Sequence, residues 1–272
     1  EFVPAPYTAF TKVRKLVPGQ YMIVSETGTR TDRFYTPSPE FNTMSFSKAA
    51  DTLRDKLESA VERRLQSDRP VGAFLSGGID SSIIVGIMSQ LADDRVDTFN
   101  VGFNEALFDE SWAAREVAEF HHTNHHEYTV EVDDLRTLIP EVLGKLGEPF
   151  GDASLIPLYV VGRETSNEVT VALTGDGADE LFGGYERYRA EYYSQYYRLL
   201  PAPVRHRVIQ PALARFPVSR SNRVGELVWK ANVFVRGAEG VDLQRHLNWI
   251  RIVDDRISDM TVGPDPVENA KA

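Results

Sequence analysis

The chain has 272 residues, of which 40 are acidic and 30 basic, so its formal net charge is -10, and it contains no cysteine. The absence of cysteine excludes disulfides, thiolate zinc sites, iron-sulfur clusters and a cysteine nucleophile within these residues. The acidic balance argues against a general nucleic-acid surface, because binding to phosphate backbones needs clustered lysine and arginine. No apolar run reaches the roughly 18 residues of a membrane span, so we expect a cytoplasmic protein without a membrane partner.

Residues 1–35 are predicted to form a β-hairpin. An apolar run at 21–24 is followed by a turn at 26–29 and by a second short run that ends at Tyr35. Two strands bury too little surface to be stable alone, so we expect the other strands of this sheet to lie elsewhere. Residues 36–46, which include two prolines, are predicted to be a linker.

Helical and strand patterns alternate from residue 47 onward. Leu53, Leu57, Val61 and Leu65 recur every four residues, which indicates an amphipathic helix. Strands are predicted at 71–75, 96–101, 126–130 and 169–173, the first and the last of them buried, and further helices at 79–91, 110–120, 135–146 and 155–163. This alternation predicts an α/β fold with a doubly wound parallel sheet and helices on both faces. In such sheets ligands bind at the carboxyl ends of the strands.

Beyond Gly184 the pattern is helical. Tyr185, Tyr188, Tyr192 and Tyr196 fall at helical spacing, and we expect this aromatic side to pack against the sheet domain or a neighbouring helix. Residues 263–272 are predicted to be frayed.

The segment 74–82, with the sequence FLSGGIDSS, predicts a phosphate site between a buried strand and a helix. Gly77 and Gly78 let a ligand approach the backbone, so that amide groups point at it from the positive end of the helix. Hydroxyl and carboxylate groups are added by Ser76, Asp80, Ser81 and Ser82. The carboxylate can hold a magnesium ion that bridges the phosphates. No lysine follows the glycines, which excludes a Walker A loop, and no Gly-x-Ser-x-Gly elbow supports a serine nucleophile.

A second loop, LTGDGADELFGGY at 173–185, also follows a predicted strand. If both strands belong to one parallel sheet, Asp176 and Asp179 lie at the same edge as the first loop. Carboxylates near a triphosphate repel it unless a cation lies between them, which argues for magnesium. The alternative is a solvated acidic turn.

These motifs resemble a known family. The segment SGGIDS at 76–81 resembles the pyrophosphate loop of the N-type ATP pyrophosphatases, and 173–185 is similar to a signature of the glutamine-hydrolysing asparagine synthetases of the asparagine synthase B type. EPFGDAS at 148–154 and HHE at 125–127 match the same family in the same order. The resemblance implies an adenine nucleotide alpha-hydrolase-like fold.

The resemblance also implies an ATP-dependent carbon-nitrogen ligase of asparagine biosynthesis with ATP and Mg2+ as cofactors. ATP would adenylate the β-carboxylate of aspartate with release of pyrophosphate, and ammonia, drawn from glutamine in the full-length protein, would attack the β-aspartyl-AMP. The implied ATP-binding residues are Leu75, Ser76, Gly77, Gly78, Asp80, Ser81, Val101, Thr174 and Gly175. Asp176 and Asp179 would be catalytic, with Asp80 and Asp179 as magnesium ligands. Glu110, Asp152 and Tyr185 are further candidates near the substrate.

By the same resemblance, residues 1–35 would be the end of a glutaminase domain, 47–184 the ATP pyrophosphatase domain and 185–272 a helical part of it. The chain starts with Glu1, and neither the family's N-terminal cysteine nor its distal basic residue is matched. We therefore expect a chain that is truncated at both ends, inactive alone as a ligase, and taken from a homodimer.

Three other interpretations stay open. The protein could act on another carboxylate, such as a β-lactam, peptide or sugar acid, or it could bind a nucleotide without ligase activity. A tRNA-thiolating pyrophosphatase has the same loop, but the acidic balance and the absence of cysteine weigh against it. Four histidines at 121–126 could bind a metal, although a helix-to-strand connection does not favour a designed site.

Overall fold

The structure, a computed structural model, describes residues 2–38, 43–104, 109–152, 154–216 and 223–250. The chain divides into two compact units, residues 1–176 and 177–272. Among the described residues no helix is both long and apolar enough to cross a membrane. The tail predicted to be frayed, and part of the predicted linker, lie outside these residues.

The predicted hairpin is confirmed. Strands β1 (Gln20–Ser25) and β2 (Gly28–Arg33) are antiparallel and pair from Gln20 with Arg33 to Ser25 with Gly28. Its apolar side chains are largely exposed, including Val24 at 72% and Ile23 at 51%. The hairpin therefore buries little of its apolar surface within the part of the chain that the structure describes.

The first unit contains a four-stranded parallel sheet. Its strands are β3 (Val71–Phe74), β4 (Asp97–Phe103), β5 (Asn124–Val130) and β6 (Val171–Leu173), in the order β5-β4-β3-β6. The helices are α1 (Phe46–Leu65), α2 (Ile79–Leu91), α3 (Ser111–Phe120), α4 (Leu135–Lys145) and α5 (Leu155–Thr165), with a 3-10 turn at Val132–Asp134. The predicted alternation of strands and helices is confirmed.

Helices cover both faces of the sheet. On one face, Val61 of α1, Met88 of α2 and Ala114 of α3 pack in one cluster with Ala73 and Leu75. On the other face, α5 packs against the fully buried Phe99 of β4, and α4 joins it over β5. This arrangement confirms the doubly wound fold, because each face of a parallel sheet needs a helical cover.

The prediction of a buried strand at 169–173 is wrong in part. The strand is shorter, Val171–Leu173, and the side chain of Val171 is 39% exposed, although Val169 before it is buried. The cause is its position, because β6 stands at the end of the sheet and pairs only with β3 within the described residues.

The second unit is helical. Its elements are α6 (Ala178–Phe182), α7 (Glu186–Tyr197), α8 (Ala202–Val204), a π-helical turn (Arg205–Ile209), α9 (Gln210–Ala214), α10 (Arg223–Gly237) and α11 (Asp242–Ile250). Arg245 of α11 is buried and donates hydrogen bonds to both carboxylate oxygens of Glu191 in α7 and to Asp242. A buried guanidinium needs such partners, so this ion pair fixes α11 on α7.

The expected packing of the tyrosine side of α7 is wrong. Tyr188, Tyr192 and Tyr196 are 38%, 58% and 53% exposed. The helix instead turns Ser194, which is fully buried, and Tyr197, which packs edge-to-face on Phe234 of α10, toward the inside of its unit. Aromatic residues lie around most of this helix, so their spacing does not select the inward face.

Candidate functional site

The strand order of the parallel sheet reverses between β3 and β6. The chain adds β4 and β5 on one side of β3 and then returns to place β6 on the other side. In doubly wound sheets a crevice opens at the carboxyl ends of the strands where the order reverses, and ligands bind there. The loops that follow β3 and β6 are the two glycine-rich segments.

The loop after β3 needs glycine for two reasons. Gly77 has a φ of +81°, in the left-handed region that side chains rarely adopt. A methyl group added to Gly77 would also lie 2.5 Å from the amide nitrogen of Ala114, at the start of α3. The loop therefore packs directly against the backbone of α3.

Serine side chains fix the shape of this loop. The hydroxyls of Ser76 and Ser81 lie 3.0 Å apart, and the amide of Ser76 donates to the Ser81 hydroxyl at 3.3 Å. The Ser82 hydroxyl donates to the carbonyl of Gly78 at 2.7 Å. Because these contacts stay within the loop, they hold its backbone in place without a bound ligand.

The first turn of α2 is left uncapped. Gly78 occupies the N-cap position, where no side chain accepts a hydrogen bond from the helix. The first amides of a helix have no intrahelical partner, and they lie at its positive end. With Asp80 exposed in this turn, the loop offers N-H donors to an anion and a carboxylate to a cation.

The loop after β6 touches this helix start. The register pairs Ala73 with Leu173, so both strands end at the same edge of the sheet. A methyl group added to Gly175 would lie 2.8 Å from the amide nitrogen of Ser81 and 3.0 Å from Cβ of Asp80. The start of the loop after β6 thus meets the loop after β3 at one edge of the sheet, as expected, whereas the place of Asp179, which belongs to the second unit, stays a prediction. Asp176 follows with an exposed side chain, and its amide donates to the Thr174 hydroxyl at 3.2 Å.

Comparisons with known proteins agree with this arrangement. Residues 52–266 match the family model for asparagine synthase. The chain belongs to the asparagine synthase family. It is 36% identical over 203 residues to "Putative asparagine synthetase [glutamine-hydrolyzing] 2" of Methanocaldococcus jannaschii, which covers 74% of this chain and 39% of that protein. It is also 36% identical over 191 residues to "Asparagine synthetase [glutamine-hydrolyzing] 1" of Bacillus subtilis, with 70% and 30% covered.

The chain thus spans between three and four tenths of the length of these curated relatives. Among solved structures, an NMN synthetase from Francisella tularensis matches with a TM-score of 0.38 and 13% identity, over 82% of this chain and 99% of that one. This similarity adds nothing to the family assignment.

Two of the residues expected at the adenosine have side chains in the core. Leu75 is 1% exposed within the α1-α2-α3 cluster, and Val101 packs on the opposite face near Phe99. Any contact of Leu75 with a nucleotide therefore involves its backbone atoms, whereas the side chain of Val101 is only half-buried. The Leu75 amide already donates to the carbonyl of Phe99 at 2.8 Å.

Glu110, a predicted substrate residue, and Asp109 precede α3, and the role of Glu110 at the substrate stays a prediction. Glu110 is exposed at the N-cap position and makes no side-chain cap, although its carbonyl accepts from the amide of Ala113 next to the Gly77 loop. The carboxylate of Asp109 accepts from the Ser111 amide at 3.2 Å, and hydrogen bonds from Ser111 lower the pKa of Asp109. An acidic residue two positions before a serine at a helix start is the sequence signal for such a cap.

Asp152 lies in the connection between α4 and α5. Its carboxylate accepts a hydrogen bond from the Ser154 amide at 2.9 Å, just before α5. Within the described part of the chain, no hydrogen bond or ion pair joins Asp152 to the loop after β3. Its role at the substrate stays a prediction.

Asp179 and Tyr185 belong to the second unit. The carboxylate of Asp179 lies against Gly184, where a methyl group would collide with it. The Tyr185 hydroxyl donates to Glu180 at 2.6 Å, which lowers the pKa of Glu180 and raises the pKa of Tyr185. The guanidinium of Arg187 lies 3.9 Å from the centre of the Tyr185 ring. Both residues are thus held by contacts inside their own unit.

The loop after β3 fits a magnesium ion that arrives with a phosphate. Among the described residues no group of three histidine, aspartate or glutamate side chains could hold a metal by itself. Mg2+ commonly uses only one or two carboxylates, with substrate phosphates and water as its other ligands. Asp80, exposed beside the uncapped helix start, offers such a carboxylate.

The histidines after α3 have structural partners. His125 makes a hydrogen bond of 2.9 Å with the Thr98 hydroxyl, and burial lowers the pKa of His125. His126 lies 3.1 Å from a carboxylate oxygen of Asp97 and stacks on Phe99. Both histidines lie in β5, so their side chains are directed by the sheet.

Proposed function

We propose that this protein is the ATP-using part of a glutamine-hydrolysing asparagine synthetase. The observation that supports the proposal is the contact between Gly175 and the start of α2, which joins two glycine-rich loops at the switch point of the sheet. A single glycine-rich turn has many uses. Two such loops at one edge of the sheet form a site that can hold a nucleoside triphosphate and the group that attacks it.

In this proposal the β-carboxylate of aspartate attacks the α-phosphorus of ATP, and pyrophosphate leaves. Ammonia then attacks the β-aspartyl-AMP, and AMP leaves as asparagine forms. Charge develops on the phosphate oxygens in the first step, and fixed donors stabilise it without reorganisation. Those donors are the amides around Gly77 and Gly78 and the hydroxyls of Ser76 and Ser81, which the loop already holds in place. The Gly78 amide now donates to the Ser76 hydroxyl at 3.3 Å and would exchange this partner for the phosphate.

The remaining residues have proposed roles in the same site. The backbone of Leu75, Val101, Thr174 and Gly175 binds the adenosine and the α-phosphate. Asp80 and Asp179 would hold magnesium, which neutralises phosphate charge when bound. Asp176 assists formation of the adenylate, and Glu110, Asp152 and Tyr185 lie near the amino acid. The whole protein uses aspartate, ATP and ammonia or glutamine, and we propose that it is a cytoplasmic homodimer.

The proposal also assigns residues 1–35 to the end of a glutaminase domain, 36–46 to a linker, 47–184 to the ATP pyrophosphatase domain and 185–272 to its helical part. The exposed apolar side chains of the hairpin support the first assignment, since a two-stranded hairpin is marginal in water without a partner sheet.

Exchange of labelled pyrophosphate into ATP tests the proposed reaction. The full-length gene product should catalyse this exchange when aspartate is present, because adenylate formation is reversible. Glutamate, which is one methylene longer, is the matched control and should support much less exchange. A folded full-length enzyme that exchanges pyrophosphate only with a different carboxylate would refute the choice of aspartate.

A further inference from the structure

An ion pair joins the amino-terminal segment to the connection between α4 and α5. The Lys15 ammonium lies 2.5 Å from the Glu148 carboxylate and donates a second hydrogen bond of 2.9 Å to the carbonyl of Val3. The two side chains are 32% and 31% exposed, so water screens this pair less than a fully exposed one. The partners are 133 positions apart in the chain.

The segment that presents Lys15 is held by its own hydrogen bonds. The Lys15 amide donates to the carbonyl of Pro6 at 3.0 Å, and the Tyr7 amide donates to Pro4 at 2.9 Å. The Thr8 hydroxyl lies 2.9 Å from the carbonyl of Val13. Because this backbone is already ordered, forming the ion pair costs less conformational entropy than joining two free side chains.

Glu148 lines an open cleft beside the ion pair. The cleft is a cavity of about 510 Å3 with Ala9 and Phe10 on the side of the amino-terminal segment and Leu143, Leu146 and Phe150 on the other. Phe10 and Leu143 in its walls are 62% and 56% exposed. Apolar packing across the cleft is therefore incomplete, and the position of Glu148 depends on the charge contact rather than on a close-packed interface.

Glu148 lies in the connection between α4 and α5, at 146–154, which also carries the predicted substrate residue Asp152. The amides of Val169 and Thr170, which follow α5, donate to Thr165 and to Pro70 before β3, so α5 ends at the amino edge of the sheet. An 11-residue helix is roughly 16 Å long, so its start points toward the carboxyl edge, where the phosphate loops lie. Asp152 stands at that start and is bonded to Ser154.

We propose that Lys15 is a positioning residue for the amino-acid acceptor site. Acting through Glu148, it holds the connection at 148–152 so that Asp152 faces the acceptor. This inference rests on the proposed function for the identity of the acceptor. Lys15 does not touch the phosphate loop, so its effect falls on acceptor binding and not on ATP binding.

Substitutions in the full-length enzyme test this role. Lys15→Met keeps the aliphatic stem but removes the charge, and we expect it to raise the KM for aspartate about fivefold or more while the KM for ATP stays within twofold. Lys15→Arg should restore most of the wild-type value. The charge-reversed pair Lys15→Glu with Glu148→Lys should perform better than either single reversal. Lys12→Met, at an exposed position three residues earlier, is the matched control and should behave as the wild type.

Hydrogen exchange of the peptide 146–154 gives a readout that does not depend on activity. The amides of this peptide should exchange faster in the Lys15→Met variant than in the wild type or the Lys12→Met variant. The amides of the sheet strands should exchange equally fast in all three proteins. Unchanged exchange at 146–154, or an equal rise in the KM for ATP and for aspartate, would overturn the positioning role. If the wild-type enzyme used another carboxylate, the assignment of aspartate as the substrate would be wrong. Hydrogen exchange at 146–154 would still decide whether Lys15 holds this connection in place.

Discussion

Single glycines decide how closely the parts of the proposed phosphate site approach one another. Gly77 lies against the start of α3, and Gly175 lies against the start of α2. In both places the neighbouring atoms are backbone atoms or Cβ atoms, which cannot move aside as the end of a flexible side chain can. The contacts of these residues with protein, and not only with ligand, therefore require glycine.

Gly77→Ala is expected to destabilise the protein and to abolish ATP binding. The substitution should cost about 1–3 kcal/mol of the free energy of unfolding, because residue 77 has a φ of +81° that alanine rarely adopts. The new methyl group would also collide with the backbone of Ala114. Gly144→Ala is the control, since nothing lies within 4 Å of that position in α4, and it should stabilise by up to about 1 kcal/mol. Urea unfolding measures both changes. An alanine at position 77 with wild-type stability would contradict the packing.

Asp80→Asn is expected to weaken the binding of magnesium-ATP about tenfold or more, with the fold intact. Loss of a charged ligand costs roughly 1.5–3 kcal/mol. Asp94→Asn, an exposed site beyond the other end of α2, should bind as the wild type does. Calorimetry with and without magnesium measures the change, and equal affinity of all three proteins would exclude the metal role of Asp80.

Among the elements, β4 anchors the sheet because it pairs on both sides and contacts helices on one face through Phe99. Phe99→Ala should lower the free energy of unfolding by about 3–5 kcal/mol, since the ring is fully buried. Phe120→Ala, at a ring that is 78% exposed, should change it by no more than about 0.5 kcal/mol. Similar losses of unfolding free energy in the two variants would show that Phe99 does not lie in the hydrophobic core.

Elements with a strong periodic pattern were predictable from the sequence. The helix at 46–65 and the strand before Ser76 follow directly from the spacing of apolar residues, as does the edge that the two loops share. The face of α7 was not predictable, because tyrosines lie around most of that helix. The extent of β6 was not predictable either, since burial of an end strand depends on neighbours that the local sequence does not specify.

The shape of the candidate loop was predictable where adjacent residues form it. The loop after β3 is such a segment, and its hydrogen bonds stay within six positions. The contact of Asp109 with Ser111 depends on the geometry at the start of α3, and the pairing of Lys15 with Glu148 joins segments that only the fold brings together. Long-range contacts of this kind leave no periodic signal in a single sequence.

At the scale of the whole molecule, stability should fall as the solution becomes acidic. Burial lowers the pKa of His125 below 6.5, so the unfolded chain binds a proton at a higher pH than the folded chain does. This contribution to the free energy of unfolding is therefore present above about pH 6.5, is lost as the pH falls below that value, and levels off below the folded-state pKa.

Urea unfolding at several pH values measures this dependence. His125→Gln should have a smaller loss of stability between about pH 7.5 and 5.5 than the wild type, because glutamine does not titrate in this range. An identical loss in the two proteins would show that His125 does not contribute to the pH dependence.

The central claim is that the loops after β3 and β6 form one ATP site. A crystal structure of the protein with magnesium and a non-hydrolysable ATP analogue tests it most directly. We predict that the terminal phosphates lie on the amides of Gly77 and Gly78 at the start of α2, with the α-phosphate beside Gly175. A nucleotide bound elsewhere, with this edge of the sheet empty, would contradict the account.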